Sequence, residues 1–136
     1  KTLRDHYQIR AVLEGYACVL CVETGADLSA LKNCLKASEE MLASGDSSRY
    51  SDMNQSFHYE IWNASGNEKL VTMLSELWNG LSMGVQTTEM EYAKKSLAEH
   101  KKIYEAIAAK DAETARAQME KHIRRSLEDM LTRYRE

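Results

Sequence analysis

The sequence predicts an all-α fold, an antiparallel bundle of about six helices that forms one domain over residues 1–136. Apolar residues recur at helical spacing along most of the chain, and no alternating strand pattern interrupts them. Proline is absent, and short Gly, Asp, Asn and Ser signals separate the periodic segments. With 43% apolar and 29% charged residues, the chain has the composition of a globular domain with a proper core.

The first three helices are predicted from their apolar stripes and from the residues that flank them. The first spans about residues 2–23, and Gly25 is its predicted C-cap. Asp27 is the predicted N-cap of the second helix, which stops at Gly45. The third begins near residues 46–48 and runs to Gly66. The stripes include Leu3, Tyr7, Val12, Leu13, Tyr16, Leu20, Leu28, Leu31, Leu35, Met53, Phe57, Ile61 and Trp62.

The fourth helix is predicted to begin at a capping asparagine, Asn67. Its apolar stripe continues as far as Leu81. Periodicity is weak over residues 84–92, which are therefore predicted to hold a bend or a loop.

The last two helices follow this break. The fifth is predicted to begin at about Glu89 or Ser96 and to reach Ala109. Asp111 is the predicted cap of the sixth, which continues to Tyr134. Short connections between successive helices predict antiparallel neighbours.

Charge and cysteine content narrow the function. The net charge is −3, and the only basic cluster, at Lys121, Arg124 and Arg125, is interpreted as a solvated face, so this chain is not expected to bind nucleic acid by itself. No segment approaches the roughly 18 apolar residues that a membrane span needs. Cys18 and Cys21 are predicted to be buried apolar residues in a reducing compartment, hence a cytoplasmic protein.

The most informative pattern is the position of three histidines. His58, His100 and His122 each lie near the middle of a separate helix and on its apolar side. Buried imidazoles need partners, and one divalent cation would satisfy all three. Asn54 lies four residues before His58 on the same helical face, and its carbonyl oxygen is a candidate fourth ligand. Core histidines with separate hydrogen-bond partners are the alternative. His6 is expected at or near the surface.

Four segments together resemble the FCD domain, the C-terminal ligand domain of FadR-type GntR transcription regulators. Residues 54–58 (NQSFH) and 64–67 (ASGN) are similar to its "(D/N)-x-x-FH … a-sGN" signature. Residues 99–122 resemble a second block of the family, in which one histidine stands near the start and another at the end, 22 positions apart. Residues 9–14 (IRAVLE) resemble the opening "vR-x-x-lE" of the domain. The second block rests on Glu99, His100, Ala106, Ile107, Asp111, Ala115, Met119 and His122.

The resemblance implies a metal site formed by the three histidines and the residue at position 54. Many members have aspartate there, whereas this chain has Asn54. Asp52 is no substitute, because on a helix it points roughly 120° away from His58. The resemblance further implies a homodimer, a small organic acid as effector, and a winged helix-turn-helix domain before Lys1 that alone would bind DNA.

The ligand types suggest which ion and which effector to expect. Nitrogen ligands favour zinc or nickel, with manganese as a further candidate. Three neutral imidazoles and a neutral amide leave the charge of the ion uncompensated, so its open positions favour a carboxylate. Arg10 is predicted to bind that carboxylate together with Asn54 and the ion. The alternative for Arg10 is a surface pair with Glu14, and Asn67 is expected to cap a helix rather than to bind ligand.

The sequence thus favours a sensor domain without enzymatic activity over two alternatives. A small metal-dependent hydrolase would also use three histidines and an open position, but no acid or base is placed to serve it. A metal-free helical interaction module would pack the histidines without an ion. Elemental analysis of the purified chain separates this module from the other two.

Overall fold

A computed structural model describes residues 2–79 and 90–134, with side chains as far as residue 132. The described residues form helices and no strands, which confirms the all-α prediction. In chain order the six helices are α1 (Thr2–Thr24), α2 (Ser29–Ala43), α3 (Tyr50–Ala64), α4 (Glu68–Leu77), α5 (Met90–Ala108) and α6 (Ala112–Tyr134).

The first and last helices form the most extensive contact in the bundle. Helix α1 also packs on α3 and α4, α5 packs on α6, and α2 lies against α3 and α5. Gly15 permits the close approach of α1 to α6, since a Cβ atom there would lie 3.0 Å from Cγ of Arg116. The core is therefore lined by α1, α3, α5 and α6, and these helices carry the candidate site.

Three helix boundaries lie where the sequence predicts them. They are the end of α1 at Gly25, the start of α4 at Asn67 and the start of α6 at Asp111. Gly25 follows α1 with a φ of 65°, in the left-handed region that glycine enters without strain. The side chain of Asn67 accepts the backbone N–H of Leu70 at 3.0 Å, so it caps α4 as expected. Asp111 accepts the backbone N–H of Thr114 at 3.2 Å at the start of α6.

Two predicted helix starts are wrong because an aspartate makes a local turn instead of a cap. Asp27 accepts the backbone N–H and the hydroxyl of Ser29, and α2 begins two residues later, at Ser29, without a side-chain cap. Asp46 accepts hydrogen bonds from Ser48 in the same way, and α3 begins at Tyr50 rather than near residues 46–48. Such short-range bonds compete with the helix for the same backbone groups.

The predicted extent of the fourth helix is only partly described. Helix α4 ends at Leu77 and passes into a π-helical turn at Trp78 and Asn79. Residues 80–89, which include Leu81 and most of the predicted loop, lie outside the described residues. Helix α5 is described from Met90, close to the earlier of its two predicted starts.

The cysteines pack as apolar residues, as predicted. Cys18 and Cys21 are buried in the core beside Ala17, and all three cysteines are free. Burial raises the pKa of the Cys18 thiol well above its usual value and raises that of Cys34 to about 11. Within the described ranges, no helix has the length and apolarity needed to cross a membrane.

Replacing Asn67 with alanine is expected to destabilise the fold by about 1 kcal/mol, because the N–H of Leu70 loses its acceptor. Urea unfolding measures the change. Asn63→Ala is the matched control, since Asn63 is exposed near the end of α3 and its loss should change stability by less than about 0.5 kcal/mol. Equal stability of the two variants would contradict the capping role.

Candidate metal centre

Three histidine rings meet in the interior of the bundle. His58 from α3, His100 from α5 and His122 from α6 are each at most 2% exposed. One ring nitrogen from each lies within 4.8 Å of the others. The Nε2 atoms of His100 and His122 are only 3.2 Å apart. The helical periodicity predicted this inward position, and the packing of α3, α5 and α6 brings the three side chains to one point.

Two lone-pair atoms on α3, on residues one helical turn apart, have no partner among the described residues. They are Oδ1 of Asn54 and Nε2 of His58, and both are buried. Buried polar atoms are normally hydrogen-bonded, so two unsatisfied acceptors on one face of a helix need an explanation. A divalent cation accepts electron pairs from amide oxygen and imidazole nitrogen alike. The residues present therefore fit a metal ion.

Two of the three histidine rings are hydrogen-bonded to a carboxylate through Nδ1. Glu14 Oε1 lies 2.5 Å from Nδ1 of His58, and Glu99 Oε1 lies 2.6 Å from Nδ1 of His122. A carboxylate at Nδ1 keeps the proton there and leaves the lone pair on Nε2. Metal-binding histidines usually have such a partner, which orients the ring and strengthens it as a ligand.

His100 is supported by a weaker, neutral contact. Its Nδ1 lies 3.4 Å from the hydroxyl of Tyr50, which donates to Ser96 Oγ at 2.8 Å. The ring stacks on Phe57, with centroids 3.9 Å apart and planes within 8°. Packing therefore fixes the orientation of His100 more than hydrogen bonding does.

Burial keeps two of the imidazoles in the neutral form that a metal requires. Desolvation lowers the pKa of His100 well below its ordinary value. Desolvation also lowers the pKa of His122 to about 4, although its hydrogen bond with Glu99 acts in the opposite direction. Both rings are consequently uncharged at neutral pH and able to donate a lone pair.

Glu14 is the centre of a buried polar cluster that joins α1 to α3. Its carboxylate is fully buried and contacts Arg10 Nε at 2.5 Å, Trp62 Nε1 at 3.0 Å and His58. Burial alone raises the pKa of Glu14, but His58 and Arg10 outweigh it and hold the pKa well below its usual value. The Arg10–Glu14 pair forms as the sequence alternative proposed, but it is buried, so the surface position was wrong.

Glu99 makes a second, half-exposed cluster between α5 and α6. Arg125 contacts both of its oxygens, at 2.8 and 2.5 Å, and also contacts Asp129 at 2.5 Å. Burial raises the pKa of Glu99, but hydrogen bonds from His122 and Arg125 lower it to about 2. Arg125 thus has a specific partner, and its assignment to a merely solvated basic face was wrong.

The carboxylates Glu14 and Glu99 were missed as part of the site by sequence reasoning. The apolar stripe of α1 contained a signal for Glu14, because buried Ala11 and Cys18 lie three residues before it and four after it. Glu99 had no such signal, since it immediately precedes His100 and supports a histidine on another helix. Only the packing of α5 on α6 reveals its role.

The other residues considered from the sequence fall in distinct places. Arg10 is 5% exposed, and its guanidinium carbon lies 4.5 Å from the centroid of Trp78, close to the histidines. Asp52 is exposed and pairs weakly with Arg49, outside the cluster, as its helical position predicts. His6 is half-buried and packs against Tyr7.

Glu99→Gln is expected to weaken zinc binding by about 10- to 100-fold, because an amide orients the His122 ring less firmly than a carboxylate. Competition with a zinc-binding dye measures the affinity. Glu105→Gln, an exposed change on the same helix, should leave the affinity as it was. An unchanged affinity in the Glu99 variant would mean that Glu99 does not support a metal ligand.

The family model for the FCD domain matches residues 5–125, nearly the whole chain. The chain therefore belongs to the FCD domain family, and this supports the class of effector-binding domains of GntR-type regulators that its motifs resemble. Among solved structures, E. coli McbR/YncC is similar, with a TM-score of 0.82 and 23% sequence identity. The match covers 97% of this chain and 65% of that one, and at this identity it shows the fold. A search of curated proteins finds no match.

Proposed function

We propose that this chain senses a small carboxylate for a GntR-type transcription regulator, through a divalent metal bound by Asn54, His58, His100 and His122. The observation that carries the proposal is that three imidazoles converge while Asn54 Oδ1 and His58 Nε2 have no partner within the part of the chain that the structure describes. Zinc or nickel suits the three nitrogen ligands, and manganese is a further candidate. Four ligands from the protein leave coordination positions for an effector on an ion that accepts five or six.

The electrostatics of the site favour an anion at those positions. All four ligands are neutral, and the two carboxylates behind them are each offset by a guanidinium, Glu14 by Arg10 and Glu99 by Arg125. The sequence predicted that no negative charge would compensate the ion. Two carboxylates do lie behind the ligands, but each is already paired with an arginine. A carboxylate is a suitable ligand for the remaining charge. The charge of Arg10 is already paired with Glu14, so Arg10 contributes hydrogen-bond donors to the proposed subsite rather than further uncompensated charge.

Regulation requires that the effector favour one arrangement of the whole regulator over another. We propose that the arrangement is that of a homodimer in the cytoplasm, with DNA bound by a winged helix-turn-helix domain outside this chain. The dimer is supported by Ile9, Val12 and Tyr16, which the periodicity of α1 assigned to its apolar stripe but which are 48–58% exposed on one side of the helix. The reducing location is supported by three free cysteines. Light scattering tests the dimer.

Two measurements on one preparation test the proposal. Elemental analysis should find close to one metal ion per chain, and acetate should raise the thermal midpoint of the metal-loaded chain. His100→Ala is expected to remove both the ion and the response to acetate. A response that survives this substitution would contradict the role of the metal, and a chain that takes up no metal would favour the metal-free interaction module.

The hydrolase alternative has less support. A catalytic zinc site needs an acid or base near the open position. Among the described residues the two carboxylates closest to the histidines, Glu14 and Glu99, are each bound to a histidine Nδ1 and an arginine. Their oxygens are thus committed to holding ligands in place, which is the role of a binding site.

A further inference from the structure

Trp78 carries a buried indole N–H that has no acceptor among the described residues. The residue is 5% exposed and lies in the π-helical turn that follows α4. A buried tryptophan normally donates its N–H to a partner. The position therefore combines a missing partner with a local irregularity beside the histidine cluster.

A metal ion does not explain this third unsatisfied atom. The buried side-chain atoms without partners in the described chain are Asn54 Oδ1, His58 Nε2 and Trp78 Nε1. The first two have lone pairs that a cation satisfies. The indole nitrogen has a proton instead of a lone pair, so it is only a donor, and a cation repels it. Within the described chain the indole N–H therefore still needs an acceptor that the metal ion cannot supply.

The position of Trp78 suits a ligand on the ion. Its ring centroid lies 5.3 Å from that of His58, and the guanidinium carbon of Arg10 lies 4.5 Å from the same indole. A cavity of about 330 Å³ between α3 and α4 is lined in part by Trp62 and Trp78. The neighbouring indole of Trp62 differs, because it already donates to Glu14.

We infer that Trp78 donates its indole N–H to one oxygen of a carboxylate whose other oxygen binds the metal. The inference rests on the proposed function, since it needs both the ion and an anionic ligand. One carboxylate then satisfies two opposite requirements, a Lewis base for the cation and an acceptor for the buried donor. Trp78 is in this way a residue that selects ligands with a second acceptor oxygen.

The test follows the two indole signals of the zinc-loaded chain in proton–nitrogen spectra. The chain has two tryptophans and therefore two indole signals. Either Trp62→Phe or Trp78→Phe removes one of them, so a single variant assigns both signals. Acetate is the probe, and acetamide, its neutral isostere, is the control. We expect acetate to move the Trp78 indole proton downfield and saturably, the Trp62 proton to move less, and acetamide to move neither.

Affinities give a second readout that a purely structural role would not produce. Trp78→Phe keeps an aromatic ring beneath Arg10 but removes the donor. We expect it to weaken acetate binding by about tenfold, as the loss of a hydrogen bond to a charged group does, while zinc affinity changes little. Equal losses of zinc and acetate affinity would indicate a packing role and overturn the inference.

The outcomes separate this inference from the function on which it rests. If acetate shifts other signals of the zinc-loaded chain but leaves the Trp78 proton unmoved, the indole donates to some other acceptor, and the inference fails while the carboxylate sensor stands. If acetate and larger carboxylates shift no signal at any concentration, the sensor proposal fails and the inference fails with it. If acetate shifts the Trp78 proton without zinc, the ion is not part of the subsite.

Discussion

Loading the metal-stripped chain with zinc at about a thousandfold excess over the dissociation constant is expected to stabilise it by about 4 kcal/mol. For a chain of 136 residues this corresponds to a rise of roughly 10–15 °C in the thermal midpoint. The effect is large because the ion binds only when the helices that carry His58, His100 and His122 are packed together. Calorimetry with and without a chelator measures it.

Two histidine variants decide whether the stabilisation comes from the cluster. His58→Ala removes a ligand whose Nε2 has no other partner in the described chain, so most of the zinc-dependent rise should be lost. His6→Ala removes the one histidine outside the cluster and should keep the full rise. A zinc-dependent rise of the same size in both variants would place the ion elsewhere.

Glu14→Ala is expected to cost about 3–5 kcal/mol of unfolding free energy, the largest loss predicted for a single substitution in this chain. The change leaves the charge of Arg10 buried without its carboxylate and removes the acceptor of Trp62 and His58. Urea unfolding of the metal-free protein measures the loss directly, because no contribution from an ion is then included.

Glu23→Ala is the matched control for this prediction. Glu23 lies on the same helix but is exposed, so its removal should change stability by less than about 0.5 kcal/mol. A loss of under 1 kcal/mol in the Glu14 variant would show that Arg10 reaches another partner or solvent at little cost, and the buried cluster would then have no structural importance.

Much of the fold was predictable because the periodicity and the boundaries of a helix depend on residues that are close together in the sequence. The cap at Asn67 and the left-handed residue at Gly25 depend on neighbours within three or four positions, and both predictions are confirmed. The start of α3 was not, because the bond between Asp46 and Ser48 is equally local and competes with a cap. Two short-range interactions of similar strength cannot be ranked from residue types alone.

The candidate site divides in a similar way. The inward position of each histidine follows from the 3.6-residue period, and the structure brings all three together. The partners of their Nδ1 atoms depend on which helices are neighbours, and periodicity contains no such information. Glu14 therefore looked like a surface partner of Arg10, although it lies against a histidine 44 positions away. The ligand role of Asn54 stays a prediction.

The three histidines also belong to three well-separated parts of the chain, on α3, α5 and α6. An ion that joins them would act as a reversible cross-link, closing two long loops at once. Because the ion joins residues 58, 100 and 122, it would restrain the chain between them. The entropy of closing such loops grows only slowly with their length. Slow amide exchange should then spread along α5 and α6 together when the ion binds, rather than remain next to the ligands.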